Sequence, residues 1–265
     1  MPEPFSLAGR AWIPVASDTG QRAFVRLRDL TSPLADRPLA RLATGRADCD
    51  TALAEFLIGL FAITLGPERL SKWDKHYANP PTADDLDRAL APLADALVLD
   101  GDGPRFFQDF SGLQGGPTPI EALFIDTPAD HFLVDRRFEV LSRTGAALAL
   151  LTLQTMAPSG GAGHRTSLRG GGPLTTFVVP RTTPTLWQFL WANVPLNLKA
   201  EPAQLHLIMP WLAPTRASNP KHGGVITTPA DGALPAQAFG QLVDQAMALD
   251  MDQVRAEIAE QGKQA

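Results

Sequence analysis

Residues 50–67, DTALAEFLIGLFAITLGP, contain the strongest helix pattern in this chain of 265 residues. Asp50 is a residue type that caps a helix start, and Gly66 followed by Pro67 is typical of a helix end. Between these signals the apolar side chains recur at helical spacing. They are Leu53, Phe56, Leu57, Leu60 and Phe61. The pattern predicts a helix that lies in the hydrophobic core.

The elements around this helix are short and of mixed type. Residues 12–15 and 23–27 read as two strands of a hairpin joined by a polar turn. A helix is predicted to begin after Thr82 and run to residue 97, with Pro92 kinking or splitting it. Further predicted elements are helices over 142–156 and from Thr183-Pro184 onward, and a strand over 174–179. The predicted class is α+β, with short antiparallel strands or hairpins and long irregular loops.

The composition is that of a folded globular protein, with 45% hydrophobic and 19% charged residues. A single cysteine, Cys49, excludes an internal disulfide and a multi-cysteine zinc site. The first residues lack the basic start and apolar run of a signal peptide, and no apolar run approaches the ~20 residues that span a bilayer. We therefore expect a cytoplasmic protein without a membrane partner.

The segment Ala157–Pro173, APSGGAGHRTSLRGGGP, is the glycine segment of this chain and contains six glycines. It lies in a window, residues 140–230, where seven lysines and arginines face a single acid, Glu201. Glycine allows a backbone to approach a ligand closely, and arginine offers donors that match phosphate geometry. The segment is predicted to contact something anionic and narrow.

Known catalytic and nucleotide-binding patterns do not fit these residues. In a Walker alignment, Ser159 and His164 occupy the glycine positions, and in the dinucleotide pattern Thr166 replaces the third glycine. No serine-hydrolase or zincin motif is present, and the histidines are scattered singly at positions 76, 131, 164, 206 and 222. Trp187 and Trp191 are four residues apart, which favours core packing or a subunit contact over a base-stacking platform. We predict no catalytic residue, metal or cofactor.

Three functions remain open on the residues alone. The minor groove of duplex DNA is about 6 Å wide and has a degenerate acceptor pattern, so a glycine backbone can enter it while arginines hold phosphates. Alternatively, the acid-poor face docks against RNA or another subunit, with the glycines as a flexible connection. The third candidate is an enzyme for a phosphorylated small molecule.

The stretch APSGGAGHRTSLRGGGPLTTFV, residues 157–178, resembles the glycine-loop region of the large subunit of type I-E CRISPR Cascade, the CasA family. Supporting similarities follow in order at residues 12–15, from Leu53, at 106–108 and at 118–121. The resemblance covers about residues 10–215. It implies an N-terminal-domain-like region over 1–215, a loop or linker over 216–234 and an unmatched C-terminal helix over 235–265. Because family members typically continue far beyond this length, we expect a short form or a fragment.

The resemblance implies a non-catalytic subunit of a surveillance complex in antiviral defence. Such a subunit recognises the protospacer-adjacent motif (PAM) in target duplex DNA, aids strand separation and helps recruit a helicase-nuclease. Its expected partners are target DNA, guide RNA and the other Cascade subunits. The implied DNA contacts are Ser159, Gly160, Gly161 and Ala162, and we expect the nearby Arg165 and Arg169 to hold phosphates. The implied contacts to guide RNA or a neighbouring subunit are His131, Leu133 and Asp135.

Overall fold

A computed structural model describes residues 3–108, 119–125, 139–156, 176–200 and 205–213. In chain order the elements are strands β1 (Ile13–Ser17), β2 (Arg22–Val25) and β3 (Leu39–Leu42), and helices α1 (Ala47–Leu65), α2 (Leu70–Ala78), α3 (Ala83–Leu90), α4 (Arg143–Met156), α5 (Leu186–Trp191) and α6 (Leu205–Ile208). This mixture confirms the α+β class. The linker and the C-terminal helix predicted over 216–265 lie outside the described residues.

The strands form a small antiparallel sheet in the order β2-β1-β3. The predicted hairpin is confirmed, since Ile13 pairs with Val25 and Ala16 with Arg22. The third strand was not predicted, because the four residues of β3 are too few to show a clear period. Ala16 also pairs with Arg41 of β3, and the register shifts by one residue just beyond that pair. Every residue of the central strand β1 is buried.

Helix α1 confirms the predicted core helix, and thirteen of its nineteen residues are buried. The run Ala52–Ile63 is buried on all sides of the helix, a wider surface than the single apolar stripe in the sequence predicted. A helix that is apolar all round must be surrounded by other elements. Helices α3, α4 and α5 and strand β3 all contact α1.

Both ends of α1 depend on residues outside the helix. Asp50 was predicted to cap the helix but lies inside it, where its Oδ1 accepts the backbone N–H of Thr44 at 2.9 Å. At the other end the chain stops at Gly66, as predicted, and the carbonyl of Ile63 accepts the N–H of Ala200 at 3.0 Å. A Cβ on Gly66 would lie 2.7 Å from the backbone nitrogen of Lys199, so only glycine allows this approach.

The shorter helices follow their capping chemistry. Thr82 and Asp85 form a capping box at the start of α3, and a 3₁₀ helix over Ala91–Leu97 follows α3, which confirms the split at Pro92. Helix α5 begins later than predicted, because Thr185 and Gln188 form its capping box. Pro184 therefore precedes the cap. Helix α2 was not predicted, since it lies at the surface without a fully buried residue.

Five aromatic side chains form a cluster against α1. Phe106 lies at its centre, with its ring 5.4 Å from that of Phe56 and 5.7 Å from that of Trp211. Trp12 meets Phe106 edge-on at 6.2 Å, and Phe107 tilts over Trp211 at 4.2 Å. This aromatic cluster joins the N-terminal sheet, α1 and the 205–213 segment in one core.

Substituting Phe106→Ala is expected to lower the free energy of unfolding by about 3–5 kcal/mol, because it empties the centre of the aromatic cluster. The matched control is Phe24→Ala, whose side chain is 57% exposed and whose loss should change stability by less than about 0.5 kcal/mol. Urea unfolding followed by tryptophan fluorescence measures both. Equal effects of the two substitutions would contradict the cluster's role.

Candidate nucleic-acid interface

Every residue predicted to contact nucleic acid lies outside the described part of the chain. These residues are Ser159, Gly160, Gly161, Ala162, Arg165, Arg169, His131, Leu133 and Asp135. The structure does describe the residues on both sides of the glycine segment. It describes α4 up to Met156 and the chain again from residue 176. These two flanking regions are called the first and the second anchor of the glycine segment.

The first anchor is helix α4, which was predicted and packs along α1. Its last residue, Met156, is 3% exposed and belongs to the main hydrophobic core. Two buried threonines near this end have hydroxyl groups that are hydrogen-bonded within the helix. Thr152 donates to the Leu148 carbonyl at 2.7 Å, and Thr155 donates to the Leu151 carbonyl at 2.8 Å. The chain therefore leaves the core for the glycine segment from a fixed position.

The second anchor is an amide clamp formed by Asn193. Its Oδ1 accepts the N–H of Val178 at 2.7 Å, and its Nδ2 donates to the Val178 carbonyl at 2.9 Å. The same Nδ2 donates to the carbonyl of Phe189 in α5 at 2.9 Å. The side chain thus occupies the place that a neighbouring strand would take.

The clamp corrects the strand predicted over 174–179. Residues 176–180 have no regular secondary structure, because an asparagine side chain and not a second strand satisfies the backbone of Val178. Phe177 packs edge-on against Phe189 at 5.5 Å, while Val178 and Val179 are 59% and 64% exposed. Asn193 is therefore a positioning residue that the sequence did not single out, since asparagine after a helix resembles an ordinary cap.

The acid-poor window contains fewer available cations than its sequence indicates. Arg143 donates from Nε to Asp100 at 2.6 Å, and its guanidinium lies 5.8 Å from the ring centre of Phe5. That arginine is thus engaged by an acid from outside the window. Arg181 and Lys199 are exposed, and neither forms an ion pair with another described residue. Arg181 lies three residues beyond the clamped Val178, so it adds an accessible cation beside the second anchor.

The tryptophans of α5 hold the second anchor in place. Trp187 and Trp191 are 2% and 0% exposed, which confirms core packing. Their indole nitrogens donate to backbone carbonyls of α2, to His76 at 2.8 Å and to Trp73 at 2.9 Å. Trp73 in turn donates to the Val194 carbonyl at 3.1 Å. These reciprocal bonds fix α5, and with it Asn193, against α2.

An open cleft of about 520 Å³ lies beside α2 and α3 and is the alternative place for a phosphorylated ligand. Lys75, His76, Asp85 and Arg88 are among its lining residues. Asp85 pairs with Arg88 at 3.3 Å and also accepts the N–H of the cap residue Thr82. The carboxylate offsets the cations, so the cleft is poorly suited to an anion.

Burial is the largest cause of the pKa shifts of Cys49 and His76, two residue types that often act in catalysis. It raises the pKa of the Cys49 thiol, against a weaker opposing effect of its bond with Thr152. It lowers the pKa of His76, and the charge of Lys75 acts in the same direction.

Among the described residues no group of three or more His, Cys, Asp or Glu is placed to hold a metal ion. No helix in the described ranges is long and apolar enough to cross a membrane.

The amide clamp predicts faster hydrogen exchange at the Val178 N–H in an Asn193→Ala variant. Loss of a partner for a part-buried group costs about 1–3 kcal/mol, so exchange should accelerate about tenfold or more. The matched control is Asn79→Ala, because the Asn79 side chain is exposed. Unchanged exchange at Val178 in a folded Asn193→Ala chain would show that the clamp does not hold this segment.

Comparison with known proteins shows which family the chain resembles. The model of the family described as CRISPR-associated protein Cse1 matches residues 7–241, a range that includes the glycine segment. Among solved structures, Cse1 from Acidimicrobium ferrooxidans is 22% identical with a TM-score of 0.57, over 74% of this chain and 39% of that one. A CRISPR-associated protein from Thermus thermophilus is 21% identical with a TM-score of 0.59, over 81% and 43%.

A third similar structure is Thermus thermophilus CasA, also named Cse1, at 21% identity and a TM-score of 0.53, over 72% of this chain and 41% of that one. These likenesses show a shared fold, and the chain spans 39% to 43% of the length of these three structures. The resemblance to the CasA family is confirmed. Because the family model covers most of its length, the chain belongs to the CRISPR-associated protein Cse1 family.

Proposed function

We propose that this chain is a non-catalytic subunit of a type I-E CRISPR surveillance complex of the Cascade kind, acting in antiviral defence in the cytoplasm. The single observation that carries the proposal is the family match over residues 7–241, which spans the glycine segment. Its partners are the other Cascade subunits, guide RNA and target duplex DNA. Its role is recognition of the PAM and help with opening the duplex and recruiting a helicase-nuclease.

The glycine segment suits recognition from the minor groove. Residues 159–162, Ser-Gly-Gly-Ala, have side chains small enough to bring a backbone against base edges in a groove about 6 Å wide. Arg165 and Arg169 follow within the same segment and would hold phosphates. Arg181 is exposed next to the second anchor and supplies a further phosphate contact. Backbone contacts to a degenerate acceptor pattern make such a reader tolerant of sequence.

The two anchors support this role energetically. A loop that must order on binding loses affinity, because each fixed residue costs conformational entropy. Here the chain enters from a buried Met156 and leaves at a Val178 clamped by Asn193, so its ends are already placed.

We propose in addition that His131, Leu133 and Asp135 contact guide RNA or a neighbouring subunit.

A docking subunit that reads no DNA is the second candidate. The exposed Val178 and Val179 favour it, because adjacent apolar side chains beside the second anchor suit a protein contact. In that case the accessible cations near the anchor would face guide RNA or an acidic patch of another subunit.

The test is binding of target duplex by the assembled complex carrying Arg165→Ala and Arg169→Ala. Affinity is expected to fall about tenfold or more, and the slope of log affinity against log salt to lessen by about 0.9 per lost phosphate contact. The matched control is Arg10→Ala with Arg88→Ala, two exposed arginines already paired with Glu3 and Asp85.

Copurification with the tagged chain first establishes that guide RNA and the backbone subunits assemble with each variant. Unchanged target binding by an intact variant complex, with Gly160 crosslinking to protein or RNA and never to target DNA, would favour the docking role. Recovery of the wild-type chain as a lone monomer would contradict both candidates.

A further inference from the structure

The outer face of the small sheet carries two arginines and a phenylalanine. Residues directly paired across antiparallel strands point to the same face, and residues two apart in a strand do so as well. Ala16 pairs with Arg22 on one side and Arg41 on the other, and Pro14 pairs with Phe24. These residues therefore share one face, opposite the face that Ile13, Val15 and Leu42 turn to the core.

The long side chains on this face are exposed, whereas the short ones are buried. Phe24 is 57% exposed, and Arg22 and Arg41 are exposed as well. Between them the central strand places only Pro14 and Ala16, which are buried. Neighbouring strands lie about 4.8 Å apart, so the backbones of Arg22 and Arg41 are about 10 Å apart across β1. We call Arg22, Phe24 and Arg41 the outer sheet face.

The arginines of this face are not neutralised by the described residues. Neither Arg22 nor Arg41 forms an ion pair there, unlike most arginines around them. Two of the acids near the ends of these strands are engaged elsewhere. Asp18 binds Arg37, and Asp29 binds Arg26 at 2.7 Å. The outer sheet face thus presents Arg22 and Arg41 on either side of Ala16, with the exposed ring of Phe24 two residues from Arg22 along β2.

This chemistry fits an unpaired polynucleotide strand. An exposed aromatic ring stacks on a base, and arginines beside it hold the flanking phosphates. A duplex is a poorer partner, because its base faces are already stacked and closed to Phe24. The face also lacks amide and hydroxyl side chains that would read base edges, so it tolerates any sequence. Sequence tolerance suits a strand whose sequence varies from target to target.

We propose that the outer sheet face binds single-stranded DNA, with a base on Phe24 and phosphates on Arg22 and Arg41. In the surveillance complex this strand would be the one freed when the target duplex opens, an assignment that rests on the proposed function. The site consists of residues outside the glycine segment and would add a second DNA contact of a different kind. It would retain the freed strand after the first contact has recognised the duplex.

Fluorescence anisotropy of the full chain with labelled dT20 tests the face without the complex. Phe24→Ala is expected to weaken binding about fivefold or more, because base stacking on one aromatic ring is lost. Arg22→Gln with Arg41→Gln should reduce the salt slope by about 1.4, or about 0.7 per phosphate. The matched controls are Leu70→Ala, an apolar side chain 63% exposed on α2, and Arg10→Gln, which is paired with Glu3.

Two further arms separate this site from the glycine segment. A chain with Arg165→Ala and Arg169→Ala is expected to keep the fivefold response of dT20 binding to Phe24→Ala. A 20-base-pair duplex should show no response to Phe24→Ala. If dT20 binding is the same in Phe24→Ala and wild type, or responds only to the glycine-segment substitutions, the proposal is overturned, whatever the outcome for PAM recognition.

Photocrosslinking in the assembled complex identifies the strand. The substitution Phe24→p-benzoylphenylalanine is expected to give an adduct with the non-target strand of a bound target and none before target is added. An adduct with guide RNA or with another subunit, or no DNA adduct at all, would overturn the assignment. The same complex must bind target duplex normally, which keeps this result independent of the PAM test.

Discussion

The structure depends on covering one helix that has no solvent-exposed side along Ala52–Ile63. Along Ala52–Ile63 every residue of α1 is buried, so water has to be excluded from its whole circumference. Burial of this surface, at about 25 cal/mol per Å² of apolar area, is the dominant favourable term available to the fold. The sheet, α3, α4, α5 and the aromatic cluster are arranged by this requirement. The N–H of Ala200 pairs with the Ile63 carbonyl in the last turn of α1, and Asp50 in the first turn accepts the N–H of Thr44.

The described residues on both sides of the glycine segment are held by this core. Helix α4 lies against α1 and brings the chain to Met156 inside the packed interior. On the far side, two tryptophans bind α5 to carbonyls of α2, and Asn193 extends that rigidity to Val178. A segment with six glycines thus connects two held ends. This arrangement combines a backbone able to approach a ligand with little entropic loss at its ends.

The sheet serves two purposes because its faces differ. Its inner face adds Ile13, Val15 and Leu42 to the core, while its outer face keeps two arginines without ion-pair partners among the described residues, beside an exposed phenylalanine. An exposed aromatic ring and two unneutralised charges do nothing for the core. In the roles proposed above, the glycine segment would contact a groove of duplex DNA and the outer sheet face an unpaired strand.

The sequence by itself determined the α+β class, the core helix, the hairpin, the split at Pro92 and the family resemblance. Each rests on local periodicity, capping chemistry or residue order, which a single sequence displays. Only the tertiary structure decided that Asp50 bonds Thr44, that Arg143 is neutralised by Asp100, and that Asn193 takes the place of a strand beside Val178. Those partners are 6, 43 and 15 residues apart, and no local pattern specifies them. Local periodicity and capping residues can be recognised in the sequence, whereas the partner of a polar group depends on how the chain packs around α1.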